Sequence, residues 1–391
     1  MGRSDAVVLD RVIGRASARA FVDDHIAPAA DDFDHAQAIP AEVLRRMADA
    51  GLWGLSVPEK FGGSGLDHLT LGHIHEEVGR GCSSVRSLLT VHGMVTGAID
   101  RWGAPALRRR WLPDLAAGTM IGAFCLSEPA AGSDTAAITT TVRRRGADVV
   151  VDGCKRWITA GQVAGLLLVL ARSADGMTAV LVPADAPGVT VTPIQDLLGT
   201  RASMLAEIRF DDVSAGPDAV LGPEGFAAAT VMSGALDIGR YSVACGCVGL
   251  MQACLESAAA YASRRSSGGK LLRERQLVRA KLSDMVTAVR AGRLLCEEAG
   301  RLKDSRDEAT VMATWIAKYY TSTAAARVAS DAVQIHGASG CGPRSSVGRM
   351  YRDAKIAEII EGSTELQQHT IAEEAFRGIH RPVAGVAGGN D

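Results

Sequence analysis

Ala147-Asp-Val-Val-Val-Asp-Gly153-Cys-Lys-Arg-Trp-Ile158 is the stretch whose reading decides the fold. Two short apolar runs flank Asp152 and Gly153, a pattern that reads as strand, tight turn, strand. Gly165 to Ala171, Met177 to Val182, Gly188 to Pro193 and Ala206 to Asp211 add four more short strand candidates. Strands in this number, with no long helix between them, predict a compact antiparallel barrel or sandwich over residues 121–226.

On either side the hydrophobic period changes. Within residues 1–120, Ala41 to Met47, Leu69 to Val78 and Val95 to Ala116 carry apolar residues at three-to-four spacing, which predicts helices. Within residues 227–391, Val278, Leu282, Met285 and Val289 mark one bundle-helix stripe, and Ala309 to Ala338 gives another. The tail from Arg381 is expected to fray. Helices, a β domain and a helical bundle make a three-part α+β protein.

A chain of 391 residues, 47% hydrophobic and 22% charged, can bury a large core. Its formal net charge of -2 sets up no global field for nucleic acid or an anionic membrane, so neither is expected as a partner. The basic runs Arg108 to Arg110 and Arg143 to Arg145 read as solvated faces. The longest apolar stretch, Val163 to Ala171, is too short to span a bilayer. Asp5 and Asp10 and the lack of an apolar signal core point to the cytoplasm. Eight scattered cysteines are expected to be reduced and mostly buried. Cys245 and Cys247 lack a second pair, and His73 and His75 would point about 200° apart on a helix, so no metal site is expected. The loop Pro58 to Gly65 is glycine-rich, but no Lys-Ser/Thr pair follows it, so it fails as a phosphate loop.

Ile360-Glu361-Gly362-Ser363-Thr364 is the candidate site. An apolar approach desolvates the acid and raises its pKa, while Gly362 allows backbone or a flat ligand to come close. Those are the needs of a general base that removes a proton from carbon. The same residues also fit a helix C-terminus with Gly362 as cap and Glu361 solvated.

Several motifs in fixed order tip that balance, because together they resemble the acyl-CoA dehydrogenase family over roughly residues 10–376. The resemblance implies an N-terminal helical domain, a middle antiparallel β-barrel and a C-terminal four-helix bundle. Phe124-Cys-Leu-Ser-Glu-Pro-Ala-Ala-Gly-Ser-Asp134 is similar to the segment that holds the FAD pyrimidine edge. This implies cofactor roles for Phe124, Leu126, Ser127, Gly132 and Ser133, with Ser133 also near the thioester ligand. Lys155-Arg-Trp-Ile-Thr159 resembles the strand whose Trp157 and Thr159 lie beside the flavin ring. Leu236-Asp-Ile-Gly-Arg240 resembles the helix start that places Asp237 and Arg240 by the substrate. Some relatives carry their base at the position of Gly239, which here has no side chain. Tyr261 to Arg265, with Gln276, resembles a dinucleotide-binding stretch in which Arg265 would meet the pyrophosphate. Gly268 stands where Phe is usual. Val333-Gln-Ile-His-Gly-Ala-Ser-Gly340 is similar to the loop that reaches a neighbouring subunit's FAD through Gln334 and Gly337, which implies a homotetramer. Glu361 to Glu365 matches the catalytic turn, with Gly362 at the substrate, Ser363 and Glu365 at the flavin, and Ile360 where most relatives have Tyr.

The resemblance implies FAD-dependent α,β-dehydrogenation of an acyl thioester, carried on CoA or on an acyl carrier protein. Glu361 takes the α-proton while the β-hydrogen leaves as hydride to flavin N5. Desolvation by Ile359 and Ile360 would raise the Glu361 pKa, and the Glu361 amide would hold the thioester oxygen. An electron-transfer flavoprotein or another acceptor would reoxidise the cofactor. Residues 236–249 with 359–363 resemble a branch from bacterial polyketide and peptide antibiotic pathways, some of whose members oxidise carrier-bound, hydroxymalonyl-type precursors. A flavin oxidase or monooxygenase on the same fold and a non-catalytic thioester-binding scaffold are the alternatives. Retention of Ser127, Trp157, Arg240, Arg265 and Glu361 together weighs against the scaffold.

Overall fold

The computed structural model describes residues 11–377. The N-terminal segment with Asp5 and Asp10 and the tail from Arg381 lie outside the described residues. Six helices come first: α1 (Arg15–His25), α2 (Ala30–Ala36), α3 (Ala41–Asp49), α4 (His68–Gly81), α5 (Ser83–Trp102) and α6 (Pro105–Ala117). The expected single run from Val95 to Ala116 is therefore two helices. Pro105 at the start of α6 has no amide to continue α5, and the Gly103 amide closes α5 on Ile99 O at 2.8 Å. Helix α5 is buried nearly all round, so it forms the centre of this part.

The middle of the chain forms one sheet from β1 (Gly122–Cys125), β2 (Thr141–Arg145), β3 (Asp148–Ile158), β4 (Leu166–Ser173), β5 (Gly176–Pro183), β6 (Val189–Pro193), β7 (Ala206–Gly216) and β8 (Val220–Leu221). The strand order is β6-β7-β3-β2-β4-β5-β8, with β1 beside β4. The sheet is mixed, because β1 runs parallel to β4 and β2 meets β4 in parallel at Thr141 and Arg172. Strand β4 reads as an unbroken apolar run because both its faces are covered. Leu166, Leu168 and Leu170 join the core of the N-terminal helices, while Leu167, Val169 and Ala171 join the core on the other face. Burying each such leucine stabilises the fold by about 1.5–3 kcal/mol.

The expected turn at Asp152 and Gly153 is absent. Strand β3 runs straight through it, and the hairpin turn lies earlier, at Gly146 and Ala147. Gly153 marks a register shift against β7, and a Cβ there would stand 2.6 Å from Thr140 Cα. The glycine serves close backbone approach at a bulge.

A π-helical turn (Ala228–Met232) leads into α7 (Ser233–Ala262). A two-rung hairpin of β9 (Ser266–Ser267) and β10 (Lys270–Leu271) follows, then α8 (Gln276–Ser305), α9 (Thr310–His336), α10 (Ser346–Ile359) and α11 (Thr364–Arg377). Helices α7 to α10 pack together, and α11 lies on α9. The α8 stripe behaves as its spacing predicts: Met285 and Val289 are buried, and Val278 and Leu282 pack against the same core. The π-turn and α7 are together long and apolar enough to cross a bilayer, yet most of that span is buried inside the protein. The eight cysteines are free; six are buried, Cys154 is half-buried and Cys341 is exposed. Among the described residues no cluster of His, Cys, Asp or Glu could hold a metal ion.

Candidate active site

Helix α10 stops at Ile359, and Ile360 turns extended with ψ 156°. Glu361 then adopts φ 56°, a left-handed conformation that costs a non-glycine residue on the order of 1–3 kcal/mol. Three side chains hold this strained turn through its carbonyls. Arg240 Nε donates to Glu361 O at 3.1 Å, and Lys318 Nζ and Gln367 Nε2 each donate to Gly362 O at 2.8 Å. Arg240, Lys318 and Gln367 are all buried. The Arg240 guanidinium carbon also sits over the Trp315 ring, 4.0 Å from its centroid.

The Glu361 carboxylate points back at α7. A Cβ built on Gly239 would stand 2.3 Å from its Oε2, so glycine at 239 and glutamate at 361 share one volume. Oε2 is buried and has no hydrogen-bond partner among the described residues. Burial pushes the Glu361 pKa above the usual carboxylate value, and the charges of Arg240, Lys318 and Arg86 pull it back only in part. Ile360 packs against the bundle core, whereas Ile359 is 55% exposed and cannot desolvate the acid as expected. The Glu361 N–H has no acceptor among the described residues. The turn therefore presents an unengaged carboxylate oxygen and an unengaged amide.

The other substrate-side residues fall into two places. Asp237 and Arg240, three apart on α7, do not pair with each other. Asp237 takes Lys303 of α8 through Oδ2, and its Oδ1 is buried and unpartnered. Ser133 lies exposed on the loop after β1 with Gly132.

Leu126 and Ser127 dock on β3 beside Trp157, and Thr159 follows that strand, whereas Phe124 is buried on β1 in the core of the N-terminal helices. The fully buried Lys155 ammonium donates to Leu126 O and to Glu128 Oε1, both at 2.8 Å. Burial would raise the Glu128 pKa, but the bond from Lys155 and those from Thr139 and Thr140 hold it down at about 2. Ser127 docks alongside: its Oγ donates to Arg156 O at 2.7 Å, and Arg156 N donates to Ser127 O at 2.9 Å. The Ser127 hydroxyl proton is thus committed to the protein. Next to this loop Trp157 adopts φ 65° where the β3 register slips, leaving its side chain 49% exposed. A distorted strand that holds out a large aromatic, beside a docked loop with open space at Gly132, fits a flat ring ligand such as a flavin.

Arg265, Gln276, Gln334 and Gly337 are exposed at the other end of the bundle. The stack of Tyr261 on His336, 4.3 Å between centroids, ties the end of α7 to the end of α9 there. No hydrogen bond or ion pair among the described residues joins this patch to the Ser127–Trp157 group. Ser363 directly precedes α11 and Glu365 lies in its first turn; Ser363 Oγ accepts from Leu366 N at 3.4 Å. Sequence reasoning missed Lys318, Gln367, Trp315 and Arg86. The available signal was a lone cation inside an otherwise small or apolar helical run, as at Ala317-Lys318 and Val85-Arg86.

Three domain models cover the chain: the acyl-CoA dehydrogenase N-terminal domain matches residues 12–119, the middle domain 123–213 and the C-terminal domain 225–376. The mitochondrial short-chain specific acyl-CoA dehydrogenase of Bos taurus is 36% identical over 365 residues, 92% of this chain and 88% of that protein. The structure of butyryl-CoA dehydrogenase from Megasphaera elsdenii matches with TM-score 0.89 at 31% identity, over 92% of this chain and 96% of the other. That of FkbI, for biosynthesis of the methoxymalonyl extender unit of the Fk520 polyketide immunosuppressant, matches with TM-score 0.86 at 36% identity, over 92% and 99%.

Proposed function

The chain belongs to the acyl-CoA dehydrogenase family of FAD-dependent flavoproteins, and on that premise we propose that it dehydrogenates an acyl thioester between Cα and Cβ with Glu361 as general base. The observation that carries this reading is the Glu361 carboxylate itself. It is desolvated and raised in pKa, its Oε2 is unpartnered, and it is held in a strained turn by groups that bond only to backbone. A base so placed can take the α-proton of a thioester. The free Glu361 N–H is available to the thioester oxygen, where negative charge grows as that proton leaves.

Bound FAD would supply the hydride acceptor. Phe124, Leu126, the Ser127 loop, Gly132, Ser133, Trp157 and Thr159 would hold its ring, with Ser363 and Glu365 from the catalytic turn. Arg265, Gln276, Gln334 and Gly337 would meet a cofactor's phosphate and adenosine end, including that of a neighbouring subunit in a homotetramer. Exposed Leu277 and Leu294 on α8 and Val311 on α9 support such an assembly. Likeness to FkbI, with Ile360 and Gly268 in place of the usual aromatics, supports a carrier-protein thioester from secondary metabolism over CoA. An electron-transfer flavoprotein is the proposed acceptor.

Anaerobic bleaching of the flavin by a panel of acyl-CoA and acyl-carrier-protein thioesters tests the reading. Glu361→Gln should slow bleaching by at least ~10²-fold while FAD content and thioester binding hold. Bleaching at the wild-type rate by that variant would end the dehydrogenase reading.

A further inference from the structure

Arg240 is buried, and its hydrogen bond among the described residues runs from Nε to Glu361 O at 3.1 Å. No carboxylate among the described residues lies within ion-pair distance of it. Asp237, three residues earlier on α7, is engaged by Lys303 instead. A guanidinium cannot shed its proton, so the side chain stays charged and something other than an anion must fix it. What covers it is an aromatic face. The guanidinium carbon sits 4.0 Å from the centroid of the Trp315 ring, well inside the roughly 6 Å reach of a cation–π contact.

Trp315 and Lys318 are three apart on α9 and so share one face of that helix. Lys318 holds the turn directly, through Gly362 O at 2.8 Å. Trp315 reaches the turn only through Arg240, whose Nε holds Glu361 O. Helix α9 therefore supports both carbonyls of the turn, one directly and one at second hand. Trp315 is partly exposed and packs with none of the three apolar cores, so filling the interior does not account for it.

An aromatic platform does something here that a carboxylate would not. A carboxylate would cancel the charge of Arg240 and compete with Glu361 O for its donors. An indole face holds the cation through its quadrupole and leaves the charge directed at the turn. That charge acts on Glu361, where Arg240 offsets the effect of burial more than Lys318 or Arg86 does. Those three cations come from α7, α9 and α5. The nearby acids do not oppose them: Glu358 of α10 is engaged by Lys355, and Glu365 of α11 is exposed.

We infer that Trp315 is a positioning residue: its ring fixes the Arg240 guanidinium, and through Arg240 it fixes the strained turn that carries the base. The inference rests on the dehydrogenase reading of Glu361. Position 315 must then supply a π face, and apolar bulk alone does not serve.

The test compares FAD-loaded wild type with Trp315→Phe, which keeps a weaker π face, and Trp315→Leu, which keeps only apolar bulk. Anaerobic stopped-flow bleaching by butyryl-CoA and butyryl-pantetheine is read across pH. Hydrogen–deuterium exchange of the peptide over residues 358–367 is read without any thioester. At saturating thioester Trp315→Leu should bleach about 10-fold slower, the scale of a desolvated cation–π contact. Its acid limb should move to higher pH, because a displaced Arg240 no longer favours the ionised carboxylate. Its turn amides should exchange faster while the melting temperature holds. Trp315→Phe should fall between the two. Adding Trp315→Leu to Arg240→Gln should slow bleaching no further, because the residue acts through Arg240. Wild-type rate, limb and turn exchange in Trp315→Leu overturn the inference, and so does a further loss on top of Arg240→Gln. A loss in Trp315→Phe as full as in Trp315→Leu overturns it too. Should Trp315→Leu fail to fold, the Arg240→Gln comparison is made with Trp315→Phe. The exchange measurement decides the matter even if neither butyryl thioester bleaches the flavin. Wild-type bleaching by Trp315→Leu beside a dead Glu361→Gln would leave the dehydrogenase reading standing while this one falls.

Discussion

Gly239→Ala perturbs the proposed base without touching it. The new methyl group would stand 2.3 Å from Glu361 Oε2, 2.5 Å from Cδ and 2.9 Å from Oε1. Ordinary van der Waals contact starts at 3.4 Å, so the nearer oxygen must retreat by about 1 Å. The crowded atoms are the end of a flexible side chain, so the carboxylate moves and the helix stays. Alanine is moreover the better helix former by roughly 0.5–1 kcal/mol, and the melting temperature should hold or rise. A misplacement of this size costs a positioned catalytic group on the order of 10²-fold in rate. Anaerobic stopped-flow bleaching with a proven thioester reads the loss, with FAD content and thermal melting as controls. The double variant Gly239→Ala/Glu361→Gln should be no slower than Glu361→Gln alone, because the displaced group is then already disabled. Wild-type bleaching by a well-folded, FAD-loaded Gly239→Ala would refute the claim that position 239 and the base compete for one volume.

The charges around the turn set a pH profile. Burial raises the Glu361 pKa and Lys318 lowers it, so the wild-type reduction rate should fall in acid with a midpoint above 4.5, and Lys318→Met should move that limb to still higher pH; an unmoved limb would contradict it. Lys155→Met strands Glu128 in the interior and removes the donor from Leu126 O, which should cost about 3–5 kcal/mol in urea unfolding and weaken FAD retention. Glu128, held at about 2 in the fold, contributes stability above its ordinary 4.5 that is lost as pH falls through about 2; in Lys155→Met this acid sensitivity should shift upward. Arg265→Ala should lose FAD more readily than Arg264→Ala, by the equivalent of about 1.5–3 kcal/mol for a charge-assisted phosphate contact; equal retention in equilibrium dialysis would reject the placement of that stretch.

The parts of this protein legible in its sequence were those set by local pattern. The α8 stripe, the unbroken apolar run of β4 and the short spacing of strands report burial directly, because periodicity records which faces are covered. Asp152 and Gly153 misled because the same dipeptide serves a tight turn and a bulge, and only the approach of Thr140 from elsewhere in the chain distinguishes them. The break at Gly103 to Pro105 was available from proline chemistry but lay inside an apolar pattern that continues across it. Ile359 misled for a related reason: adjacency to Glu361 does not fix which way a side chain faces once the helix has ended.

Long-range partners left no local trace. Lys318 lies 43 residues before Glu361 and Arg240 lies 121 before it, and both spend their donors on carbonyls of the turn instead of on the carboxylate. That choice has a consequence for the chemistry. A cation bonded to the carboxylate itself would neutralise the base and occupy the lone pair that must take the proton. A cation bonded to the neighbouring carbonyl still fixes the left-handed turn and still stabilises negative charge nearby, while Oε2 stays free. The strain at Glu361 is thus supported by the same groups that tune it, and Gly239 leaves the volume into which the carboxylate is turned.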